Sequence, residues 1–150
     1  MKKSIIILVS LFSLHSFALN WKVVGPCSAK PLYKGSIEAD LNKTLGEIST
    51  QVFDANQIPY VGVPQGFNSI NNSPMGLDAI EVVSDTELRA YGWCYSLNGA
   101  RPSQAPSEVK PLSQDDTLVW YYGYVTNKNN QWGESCEPGY RVKAAQFCQK

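Results

Sequence analysis

The chain has 150 residues and no formal net charge, with 13 Lys plus Arg balancing 13 Asp plus Glu, and a single histidine, His15. No basic run interrupts it, which argues against nucleic acid as a partner. A chain of this size suits one domain with a modest buried core.

Residues 1–18 read as a secretory leader. Lys2 and Lys3 form its charged start, Ile5 to Phe12 its apolar run, and Ser16-Phe17-Ala18 a small-x-small cleavage site. The apolar run is too short to span a bilayer. The expected product, residues 19–150, is exported without a membrane span, to the periplasm, the medium or the cell surface. Losing Lys2, Lys3 and His15 leaves 11 Lys plus Arg against 13 Asp plus Glu, a net charge of −2. It also leaves no histidine. That removes the base of Ser-His-Asp and Cys-His catalysis and the imidazole ligand of many zinc sites. No catalytic residue and no metal site is expected.

In chain order, Trp21–Val24 is a short strand or an apolar anchor, broken by Gly25-Pro26. The even set Cys27, Cys94, Cys136 and Cys148 lacks the close paired spacing of a four-cysteine metal site, so two disulfides are expected in an exported chain. Three connectivities are open. Cys94–Cys136 with Cys27–Cys148 is favoured, the second pair tying the chain ends together at a loop-closure contribution of roughly 4 to 5 kcal/mol.

Ser36–Leu41 alternates weakly and reads as a strand. Thr44 and Glu47 have capping-box spacing, and Leu45, Ile48, Val52 and Ala55 recur at helical spacing. This predicts one amphipathic helix, stopped by Asn56 and Pro59. Tyr60–Val63 and Gln65–Ile70 read as extended, Asn71–Gly76 as turn and Ala79–Val83 as a strand. From Arg89 onward, Arg89, Tyr91, Trp93, Tyr95 and Leu97 share one parity, and Ala90, Gly92, Cys94 and Ser96 the other. That is a strand with an aromatic face and a small-residue face, ended by Asn98-Gly99. Ala100–Pro111 is a proline-containing loop. In Asp115–Tyr124 both parities carry bulk, as in a central strand covered on both sides. One helix among several strands predicts an α+β fold.

The segment Gly92–Gly99 (GWCYSLNG), the loop after it, and Leu112–Tyr122 (LSQDDTLVWYY) resemble the transcobalamin-like C-terminal domain family, many of whose members have no known function. The family pattern is GWxYxxNG, a variable loop, then GDx(I/V)xWxY; here Asp115-Asp116 stands where Gly-Asp is usual. The resemblance runs from about Ser36 to Val125 and implies a β-grasp-like fold, a mixed sheet packed on one helix. Ser84–Tyr91 and the cysteine-bearing C-terminal extension lie outside the common pattern. In animal cobalamin carriers such a domain closes over the corrinoid together with a large helical domain. This chain is too short to contain one. Cobalamin is implied by the resemblance alone, and no cofactor is assigned.

Exposed Trp and Tyr rings bind sugars, flat rings and peptides. The ligand-binding candidates are therefore Tyr91, Trp93, Trp120, Tyr122, Tyr124 and Trp132, with Arg89 beside them. The competing reading packs these rings on the helix and in cross-strand pairs, most naturally Trp93 and Trp120. It leaves Tyr121, Tyr122, Tyr124 and Trp132 the more accessible. Asp85, Glu87, Asp115 and Asp116 form a weaker candidate, for glycoside hydrolysis or calcium, against the simpler reading of turn residues and solvated charge. Arg89 and Arg101 flank the aromatic strand and either pair with these acids or hold an anionic ligand. The expected function is a non-enzymatic, exported module that binds a protein, a small molecule or a glycan through the aromatic face and the Ala100–Pro111 loop. A structural protein joined by its sheet edge and a protease-inhibitor-like loop protein are the alternatives.

Overall fold

A computed structural model describes residues 18–148, so the expected leader, apart from Ala18, lies outside the described residues. The apolar alternation of β1 (Leu19–Val24) buries Leu19, Trp21 and Val23 and turns Asn20 and Lys22 outward. β2 (Tyr33–Ile37) pairs antiparallel with β1 and forms one sheet edge. The strand expected over Ser36–Leu41 thus begins and ends earlier. Its second half leaves the sheet because the backbone of Ala39 bonds the Gln114 side chain instead, accepting from Nε2 and donating to Oε1.

Helix α1 (Leu45–Ala55) forms where its capping box and apolar stripe predict it. Glu47 N–H donates to Thr44 Oγ1 at 3.3 Å, and Thr44 N–H donates to Glu47 Oε2 at 2.8 Å. The next free amides of the first turn are met by the proline-containing loop: Leu45 N–H reaches Val109 O at 2.7 Å and Gly46 N–H reaches Pro106 O at 2.9 Å. Asn56 caps the other end. A hairpin of β3 (Tyr60–Val63) and β4 (Gly66–Ile70) follows as a separate two-stranded sheet.

After a 3₁₀ turn (Gly76–Ala79) come β5 (Ile80–Ser84), β6 (Glu87–Leu97) and β7 (Thr117–Lys128). The main sheet runs β2-β1-β7-β6-β5, with β1 parallel to β7 and the other pairs antiparallel. Two short pieces, β8 (Gln131–Trp132) and β9 (Glu137–Pro138), pair with the far half of β7 on its β1 side. The fold is therefore mixed α+β, a mixed sheet with one main helix, and β7 is central as expected. No helix among the described residues is long and apolar enough to cross a membrane.

The sheet's aromatic face carries two cores. Under α1 and the β3–β4 hairpin, Leu45, Ile48, Val52 and Phe53 meet Trp21, Phe67, Tyr95, Leu118 and Trp120. Farther along β6 and β7, Tyr91 and Tyr122 pack with Ala79, Ala144 and Phe147. The last group comes from the C-terminal segment, which ends in a turn of helix, α2 (Ala145–Cys148).

Both disulfides have the connectivity favoured from the sequence. Cys94–Cys136 spans 42 residues with Cα atoms 6.6 Å apart, and Cys27–Cys148 spans 121 with Cα atoms 5.4 Å apart. Each has one end in the C-terminal segment. Cys136 bonds to the small-residue face of β6, whereas Phe147 lies on Tyr91, on the aromatic face, with ring centroids 4.8 Å apart. The segment therefore crosses from one face of the sheet to the other, passing β7 at Gly139, where a Cβ would stand 2.9 Å from Tyr122 O and 3.4 Å from Pro26 Cα. Two disulfides suit a chain that lives in an oxidising compartment.

Candidate ligand groove

Period-two spacing assigns the rings to one face but does not say what covers that face. Here α1, the hairpin and the C-terminal segment cover it almost completely. Trp120 is 2 % exposed and Tyr122, expected to be accessible, is fully buried. Tyr91 and Tyr95 are buried with them. Their polar atoms are spent inside the protein: Trp120 Nε1 donates to Ser49 Oγ at 2.8 Å, Tyr122 Oη to Pro74 O at 2.9 Å and Tyr95 Oη to Gln104 O at 2.7 Å. Burial pushes the Tyr122 hydroxyl up to about 12. Trp93, half-buried, packs on Tyr122 and donates to Ser73 Oγ at 2.7 Å. Tyr91, Tyr95, Trp120 and Tyr122 are core, and Trp93 with the edges of Tyr95 and Trp120 lines a hollow of about 210 Å³ beside the proline-containing loop.

Arg89 is held in the same way. Its Nη1 lies 3.0 Å from Glu81 Oε2, its Nη2 3.8 Å from Glu87, and its guanidinium sits 5.3 Å from the centre of the Tyr124 ring. Tyr91 Oη donates to the same Glu81 oxygen at 2.6 Å, and burial followed by that carboxylate drives its hydroxyl far above the ordinary tyrosine value. Among the candidate aromatics only Trp132, 56 % exposed on β8, presents a free ring, and it stands apart from the others.

The acidic candidates do not meet. Glu87 faces Lys128 at one end of β7, whereas Asp115 and Asp116 precede its first residue at the other. Asp116 is a structural acceptor: Leu112 N–H at 2.7 Å, Ser113 N–H at 3.2 Å and Asn98 Nδ2 at 2.8 Å all donate to it. Burial opposes its charge, but these three donors outweigh burial and hold the carboxyl below its ordinary value. Among the described residues no three His, Cys, Asp or Glu side chains are grouped to hold a metal, and no cysteine is free.

A further concavity lies on the opposite face. Ser96 and Val119, directly paired across β6 and β7, form its floor with Tyr121 and Val24. Arg101, at the start of the proline-containing loop, stands on one side. Glu137, Tyr140 and Arg141, held there by the Cys94–Cys136 bond, stand on the other. The groove measures about 380 Å³, at the small end of ligand pockets. It would cover only part of a corrinoid and offers no imidazole to one. Tyr121 Oη donates to Cys136 O at 3.2 Å and so ties floor to wall.

Of these residues the sequence singled out Arg101 and Tyr121, as a cation beside the aromatic strand and as an accessible ring. Tyr140 and Arg141 carry no local signal, because the long-range Cys94–Cys136 bond and the β7–β9 pairing bring them to the sheet. Comparison with protein-family models finds no match for this chain, and neither does comparison with curated proteins.

Proposed function

We propose that this protein is an exported, non-enzymatic binding module, β-grasp-like and of the transcobalamin C-terminal type, that holds its ligand in the Arg101–Tyr121–Arg141 groove. The observation that carries this reading is the disulfide-anchored wall. The Cys94–Cys136 bond fixes residues 136–141 beside the small-residue face, together with the β7–β9 pairing and the Tyr121–Cys136 hydrogen bond, and the segment forms one wall of a concave site. The helix laid across a sheet with a parallel β1–β7 pair at its centre supports the β-grasp part. The absence of histidine and of free thiol from residues 18–148 favours binding over catalysis.

The two alternatives have less support. β5 is an open edge with Val82 77 % exposed, but its pairing is bulged beyond Val82, a device that discourages strand addition. The proline-containing loop has its carbonyls at Gln104, Pro106 and Val109 bonded to Tyr95 and α1, which leaves little of it free to enter a protease cleft.

The test is thermal unfolding of the oxidised protein with corrinoids, cell-wall glycan fragments and short peptides, repeated on a Ser96→Trp variant whose indole fills the floor. A ligand at a hundred times its Kd should stabilise the wild type by about 2.7 kcal/mol and the variant not at all, and should be recovered chemically unchanged. Stabilisation that persists in Ser96→Trp would place the site elsewhere. Conversion of the compound would make the protein an enzyme.

A further inference from the structure

Resting on that reading, we infer that the groove selects a ligand with one carboxylate attached to an apolar or aromatic body, and that Arg101 is the residue that binds the carboxylate. The groove's charged side chains are Arg101, Arg141 and Glu137. Arg141 and Glu137 form an ion pair with each other at 2.5 Å, which leaves Arg101 as the uncompensated cation. Arg101 makes no ion pair among the described residues; its Nη1 only donates to the Glu134 carbonyl at 3.3 Å, a bond that sets the direction of the guanidinium and leaves its other donors open.

The lining thus carries one net positive charge in a protein that is itself mildly acidic between residues 19 and 150. A single free guanidinium presents a planar fork, which matches a carboxylate and undercompensates a phosphate dianion. Beneath it, Val119, Val24, Pro138 and the Tyr121 ring make a floor for an apolar body, with Ser96 the polar group among them. Both arginines act on that floor. Burial pushes the Tyr121 hydroxyl above its ordinary value, Arg101 and Arg141 draw it back, and Glu137 adds to the rise.

The inference is tested by amide-resolved NMR titration of the oxidised protein with N-acetylphenylalanine and, in parallel, its uncharged primary amide. The acid should shift Ser96, Gly99, Val119 and Tyr121 saturably and bind at least about tenfold tighter than the amide, the worth of one charge-assisted bond. Arg101→Gln should remove that preference. Glu137→Gln should enlarge it, because it frees Arg141. Equal binding of acid and amide in the groove would overturn the carboxylate assignment while the groove itself stands as a site. No saturable shift with the acid, or shifts away from the groove, would also overturn it; the groove as a site is then judged separately by Ser96→Trp against the wider panel.

Discussion

Gly92 and Gly123 face each other directly across β6 and β7, yet their surroundings are opposite. A Cβ at 92 would meet nothing within 4 Å, while a Cβ at 123 would stand 2.6 Å from Cys136 Sγ and 2.8 Å from Glu137 O. The second glycine exists so that the disulfide-bonded segment can lie flat against the sheet. Gly92→Ala should therefore be neutral or stabilise by up to about 1 kcal/mol through the unfolded chain. Gly123→Ala should cost about 1 to 3 kcal/mol, because the backbone of 136–137 must retreat. Urea midpoints of the two variants check this; similar midpoints would contradict it.

Ser49 is a polar residue on the buried side of α1, and its hydroxyl both accepts from Trp120 Nε1 and donates to Leu45 O at 2.6 Å. Ser49→Ala should leave the indole N–H buried without a partner, at about 1 to 3 kcal/mol. The Ser49→Ala/Trp120→Phe double variant should cost less than the two single costs added together, because the shared bond is lost only once. A double-mutant cycle in urea measures the coupling.

Asp116 gives the acid side of the stability profile a specific origin. Its folded carboxyl titrates below the ordinary value of 3.8, so its stabilisation is complete above that value. It is lost as the pH falls from 3.8 through the lower folded value. Asp116→Asn should cost about 1 to 3 kcal/mol at neutral pH, and the gap to wild type should close below pH 3.8. Denaturant curves at pH 7 and in the acid range show whether it does.

The two disulfides should separate in effect. In the chain-entropy model, opening Cys27–Cys148 removes about 5 kcal/mol and opening Cys94–Cys136 about 4 kcal/mol. Paired Cys→Ser variants should both be less stable. Amide exchange should then quicken more than in α1 at residues 134–141 when Cys94–Cys136 is absent and at 142–148 when Cys27–Cys148 is absent. Equal quickening of α1 and of the segment in either variant would show that the segment opens only with the whole fold.

The sequence made α1 legible because its information is local: Thr44, Glu47 and the stripe Leu45, Ile48, Val52 lie within one short window. β6 and β7 were legible for the same reason. β2 was not, since an edge strand with exposed side chains carries little hydrophobic alternation. The burial of Tyr122 was hidden because its covering residue, Phe147, lies at the far end of the chain. The groove was the least legible part. Val24, Ser96, Val119 and Arg141 come from four distant stretches, and nothing local marks any of them as neighbours.

The arrangement of the cysteines also bears on how the chain must be made. Cys27 and Cys94 are the first two thiols to emerge from any N-terminus-first synthesis, and they are not partners. β1, likewise, has to wait for β7, nearly a hundred residues later, to gain its parallel neighbour. Until Cys136 is available, the one bond that could form is the wrong one. Faithful maturation is therefore favoured by oxidation that lags behind chain delivery, and residues 136–148 act as the clasp that makes the earlier work permanent.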